Sequence, residues 1–210
     1  MAVAFGGSVL GSAILAFHPV PPKYSNPRLA GGILAESTAL VLFLTLLRRQ
    51  GRSPRDIGLS FRWTDLPKGL GLVLGSFVTM AVVQALIDRA WLSVTQHTAQ
   101  WTEHRTMFAG SSLLLILPFL LLNPFFEEIL VRGYLTTELI DLKKSVLLAT
   151  LVSLGLQTSY HLYYGVFGAI VVGSGLSILA TYYALSRRLM PVILAHLLWD
   201  ATALMYIWRH

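Results

Sequence analysis

The stretch LLLILPFLLLNPFFEEILVRGYL, residues 113–135, opens on fourteen uncharged residues and then places two glutamates and an arginine within six positions. An apolar run of this length suits the ~20-residue helix that crosses a bilayer. Ionisable groups inside such a run are costly, so they persist where they are paired, face a cavity or do chemistry. Working outward, further apolar runs lie at Val3–Phe17 (short), Leu29–Leu47, Leu66–Ile87, Val146–Tyr164, Val166–Leu185 and Val192–Trp208. The breaks carry turn chemistry: His18-Pro19-Val20-Pro21-Pro22, Gln50-Gly51-Arg52-Ser53-Pro54, the mixed stretch Asp88–Phe108, and Leu189-Met190-Pro191. The fold class that follows is all-α, a multi-pass transmembrane helical bundle of about seven helices.

Composition agrees: of 210 residues, 55% are hydrophobic and 12% charged, against a charged share of about 25% in soluble domains. The net charge of +6 does not signal nucleic acid, because the basic residues flank apolar runs as membrane anchors do. The absence of cysteine excludes disulfides, thiolate nucleophiles and cysteine metal sites. The first apolar run has no basic n-region before it and is expected to stay in place as a helix.

Basic residues also orient the chain. Arg48, Arg49, Arg52, Arg55, Arg62, Lys68, Lys143, Lys144, Arg187 and Arg188 fall on one side; Lys23, Arg28, Arg89, Arg105 and Arg209 fall on the other. This ten-to-five distribution predicts a cell-membrane protein with a cytoplasmic N-terminus. In the first basic loop, Ile57-Gly58-Leu59-Ser60-Phe61-Arg62-Trp63 suits either the headgroup layer or a solvated loop.

The intramembrane ionisable residues are Glu36, Glu127, Glu128, Arg132, His161, His196 and Asp200. On an α-helix Arg132 sits about 40° from Glu128 and about 140° from Glu127. Glu128 is therefore the expected partner of Arg132, which leaves Glu127 as the candidate base. A buried ion-pair staple is the bland alternative for this trio. Glu127 and His161 each lie 17 residues from Lys144, where the chain is expected to turn, so a hairpin sets them at one height to share a water. His196 and Asp200 share a helix face at about 9 and 15 Å below the edge near Met190. Glu127 matches that depth if Thr136–Lys144 projects beyond the membrane. For Glu36 a hydrogen bond to Ser37, Thr38 or another helix is expected.

These motifs resemble a known pattern. Glu127-Glu128-Ile129-Leu130-Val131-Arg132-Gly133 reads as EExxxR, His161 as the histidine of FxxxH, and His196-Leu197-Leu198-Trp199-Asp200 as HxxxN/D. Their order and spacing resemble the CAAX-protease and bacteriocin-processing family, which includes the type 2 CAAX prenyl endopeptidase. The resemblance covers roughly Asp65 to the C-terminus, which divides the chain into N-terminal membrane helices with a basic loop (1–64) and a protease-like core (65–210). Gln157 departs from the pattern, standing where an aromatic residue is usual.

The resemblance implies an intramembrane endopeptidase near the cytoplasmic face. Its water would be activated between Glu127 and His161, with His196 and Asp200 holding the carbonyl oxygen and Glu128 and Arg132 in support. The expected partners are the bilayer and a peptide or lipidated-protein substrate. A metal-free mechanism is favoured, with zinc on Glu127, His161 and His196 as the alternative. Competing readings are a serine protease using Gly173-Ser174-Gly175, a small proton-coupled transporter, and a catalytically idle immunity or scaffold protein.

Overall fold

The computed structural model describes residues 2–16, 23–95 and 107–208, and every regular element among them is helical. They are α1 (Ala2–Leu15), α2 (Asn26–Arg49), α3 (Asp65–Thr95), α4 (Leu113–Glu128), α5 (Thr137–Asp141), α6 (Val146–Tyr160), α7 (Gly165–Ser186) and α8 (Met190–Trp208). A π-helical segment, Ile129–Thr136, joins α4 to α5, and 3-10 turns occupy Pro54–Ile57 and Leu162–Tyr164. The predicted break at 18–22, and Arg105 and Arg209 of the orientation argument, lie outside the described residues.

Two helices, α4 and α6, start on a serine cap. Ser112 Oγ accepts the Leu114 N–H at 3.3 Å and Ser145 Oγ accepts the Leu148 N–H at 3.0 Å, each using an amide that the first helical turn leaves unpaired. α3 packs against α7 and α8, α6 against α7, α2 against α4, and α1 against α6.

The surface is apolar along α3, and several ionisable groups are enclosed by a largely apolar core. Leu66, Leu70, Leu74, Val78, Val82 and Leu86 form an exposed stripe along α3, while Glu127, Glu128, Arg132, Gln157 and His196 are buried. An apolar exterior, with the few ionisable groups held inside, suits lipid as the solvent. Four described segments are long and apolar enough to cross a membrane: Asn26–Arg49, Asp65–Val94, Leu113–Asp141 and Leu162–Ser186. The other three apolar helices, Phe5–Leu15, Val146–Tyr160 and Met190–Thr202, are shorter.

The predicted run Val146–Tyr164 is not one helix. α6 ends at Tyr160, with His161 as its C-terminal cap (φ −95°, ψ 2°), and Gly165 adopts φ +78°. At 15 residues, α6 spans about 22 Å, short of the hydrocarbon thickness. The 3-10 turn then leads directly into α7, which packs against α6.

The basic loop after α2 is docked on the protein at one end and exposed at the other. Ile57 is buried, and the Gly58 carbonyl accepts the Leu189 N–H at 3.0 Å. Tyr183 Oη lies 3.0 Å from the Ile57 carbonyl, 3.2 Å from that of Gly133 and 2.7 Å from Thr137 Oγ1, gathering loop, π segment and α5 around one phenol. Phe61 and Trp63 stay exposed as an edge-on pair, the part of the loop that fits a headgroup layer.

Candidate active site

Pro118 and Pro124 interrupt α4 by removing amide donors, and immediately beyond them the helix widens into the π segment. Thr136 Oγ1 donates to the Val131 carbonyl, five residues back, at 3.2 Å. Glu127 and Glu128 stand at this change of helical register. Gly133 keeps the segment close to its neighbours, since a Cβ there would meet Leu189 Cδ2 at 3.0 Å and Ile57 Cδ1 at 3.3 Å.

Glu128 and Arg132 pair as the helix offsets predict, with Arg132 Nε 3.5 Å from Glu128 Oε2 and both side chains at 0% exposure. Arg132 Nη2 also donates to the Leu176 carbonyl of α7 at 3.3 Å. The other oxygen of Glu128, Oε1, lies 2.8 Å from His196 Nδ1 and accepts Gln157 Nε2 at 3.3 Å. Glu128 is thus engaged from three directions and sealed. The Nε2 edge of His196 faces Asp200 Oδ1 at 3.8 Å, and Asp200 is only half-buried.

Glu127 has a different setting. Its Oε2 accepts Tyr160 Oη at 2.8 Å and Gln157 Nε2 at 3.0 Å. Both donors choose the same oxygen, and among the described residues no side chain bonds Oε1. Glu127 retains 8% exposure and His196 6%, where Glu128, Arg132 and Gln157 have none. The two glutamates of the motif therefore differ in access as well as in partners.

The residues level with Glu127 on α6 are Gln157 and Tyr160, slightly earlier than the hairpin symmetry about Lys144 predicts. The π segment explains the offset: it winds more residues into each turn and advances less per residue, so the arm carrying Glu127 is shorter than an α-helical count implies. His161 follows directly. Its ring lies 4.9 Å from that of Tyr160 and 5.9 Å from those of Tyr163 and Tyr164. Nδ1 of His161 donates to the Gln157 carbonyl at 2.8 Å, which leaves Nε2 as the lone-pair nitrogen of a neutral ring.

Gln157 acts otherwise than its sequence position suggests. Its backbone carbonyl orients His161, while its side chain reaches both glutamates. Tyr160 is the site residue that sequence reasoning missed; its signal was only its place one position before His161.

Glu36 finds its partner on another helix, accepting Asn123 Nδ2 at 3.1 Å. The Gly173-Ser174-Gly175 stretch is a packing surface. Ser174 Oγ donates to the Val171 carbonyl at 2.6 Å, and a Cβ on Gly173 or Gly175 would meet Thr158 Oγ1 at 2.8 Å or Trp199 Cη2 at 2.6 Å. For zinc, the test is convergence of donors. Among the described residues no three His, Asp or Glu side chains come together at ligand spacing. Glu127 Oε2 bonds Tyr160 and Gln157, His161 Nδ1 the Gln157 carbonyl and His196 Nδ1 Glu128.

Residues 109–202 match the family model described as type II CAAX prenyl endopeptidase Rce1-like. Over this stretch the chain is similar to the Rce1-like family. All three motifs fall inside the match, and residues 65–108 lie outside it. The matched family is one of prenyl endopeptidases, and the match lies in a chain with four helices long and apolar enough to cross a membrane. Comparison with curated proteins and with solved structures gave no match.

Proposed function

We propose that the protein is a metal-free intramembrane endopeptidase in which Glu127 is the general base. The observation that carries this reading is the asymmetry of the two glutamates: Glu128 is sealed against Arg132, His196 and Gln157, whereas Glu127 is held by one oxygen and its other oxygen bonds no side chain among the described residues. In this scheme Glu127 Oε1 and His161 Nε2 accept from one water, whose oxygen attacks the scissile carbonyl carbon as its proton passes to Glu127. The tetrahedral oxyanion is met by His196 Nε2–H. Nδ1 already donates to Glu128, so the ring then carries both protons, stabilised by Glu128 and Asp200 on either side. Collapse breaks the C–N bond, and the proton held by Glu127 moves to the departing amine.

The basic end of the bundle faces the cytoplasm in this proposal, and the substrate is a flexible or lipid-tethered peptide entering there. Direct pairing of Glu127 with Tyr160 and Gln157 is also what an idle relative would keep, so activity decides between the two. Purified protein in liposomes should cleave a prenylated reporter peptide, and Glu127→Gln should lower cleavage by about 10²–10⁴-fold. Activity should survive a chelator; loss restored by zinc would replace this mechanism with a metal-dependent one.

A further inference from the structure

Gln157 is the one side chain among the described residues that bonds both motif glutamates. Two adjacent carboxylates in a low-dielectric interior repel each other. A primary amide has two N–H bonds on one nitrogen, and here they are directed to Glu127 Oε2 at 3.0 Å and Glu128 Oε1 at 3.3 Å. The opposite amide orientation would set Oε1 against both carboxylates, so the donor assignment follows from the contacts. Gln157 is fully buried, and its Oε1 has no hydrogen-bond partner. An orphaned buried carbonyl is destabilising, and an apolar residue of similar volume would avoid it. The site retains the amide nonetheless, which argues for what its N–H groups do.

We propose that Gln157 is a positioning residue that bridges the two carboxylates and fixes the rotamer of Glu127, so that Oε2 is occupied and Oε1 faces the water. Resting on the reading of Glu127 as base, the bridge also links that base to the His196 arm, because Glu128 Oε1 is shared by Gln157 and His196. Phenylalanine at this position would offer no donor, and the two glutamates would have to be separated by other means.

The test uses full-length protein in liposomes with a prenylated reporter peptide. Gln157→Leu should lower kcat by about 10²-fold while KM stays within about threefold, as expected when a catalytic group is misplaced with the binding surface intact. Gln157→Glu supplies an isosteric group that donates when protonated and repels both glutamates when ionised. Its activity relative to the parent should be highest at acid pH and fall as pH rises, a dependence that mere cavity filling does not produce.

Wild-type kcat in Gln157→Leu, or a Gln157→Glu pH profile parallel to that of the parent, overturns the proposal. If Glu127→Gln leaves activity unchanged, the reading of Glu127 as the base is what has failed. The bridge is then judged by thermal melting of Gln157→Leu, Glu127→Leu and the double variant: non-additive shifts support it, and additive shifts overturn it.

Discussion

Arg132 has no exposed surface and its nearest carboxylate is Glu128, so Arg132→Ala strands a buried charge. The expected cost is about 3–5 kcal/mol, seen as lost folded yield in detergent. Glu127→Gln is a different kind of change. Its amide oxygen can still accept from Tyr160 and Gln157, so folded yield should be close to the parent's while peptidase activity drops by about 10²–10⁴-fold. Equal loss of folded protein in the two variants would show that both glutamates are structural. The pairing of Glu128 with Arg132 was legible in the sequence because it depends only on spacing within one helix. The bonds to Glu127 were not, since they depend on how two helices lie against each other.

That lateral placement is set by two irregular elements. The prolines of α4 and the π segment shift the height of Glu127 relative to α6, and the end of α6 at Tyr160 puts His161 on a cap where the apolar run suggested a helix interior. Hydropathy does not reveal either feature, because the same leucines and valines suit a π turn, a 3-10 turn or an α-helix. In the sequence Gly58 stood only within a segment suited to the headgroup layer or a solvated loop, yet its role is specific. It has φ +76°, and a Cβ would fall 2.2 Å from the Arg187 carbonyl oxygen, against the chain between α7 and α8. Gly58→Ala should therefore destabilise the protein by at least about 2 kcal/mol, from the left-handed backbone and the displaced contact together. A melting temperature equal to the parent's would mean that this loop is not anchored on Leu189.

At the scale of the whole molecule, the sequence separated membrane from water correctly, and four apolar segments have the length to cross. The three connections predicted to share a face do meet at one end of the bundle. Arg52 pairs with Glu138 and lies 3.8 Å from Asp141, Arg187 lies 3.4 Å from Asp141, and Arg188 bonds the buried Asp65 at 2.7 and 2.8 Å. Acids thus offset part of the positive charge there. Orientation nevertheless follows Lys and Arg near the membrane ends, to which Asp and Glu contribute little, so the proposal that this end is cytoplasmic does not weaken with the pairing. Reporter domains inserted at Lys143 and at Arg187 should both behave as cytoplasmic. Because cross-bridged loops share a face, the two insertions must agree with each other whatever the orientation. If one were internal and the other external, the packing of α6 and α7 would itself be wrong. If both were external, the fold would stand, and substrate entry would have to be assigned to the opposite side of the membrane.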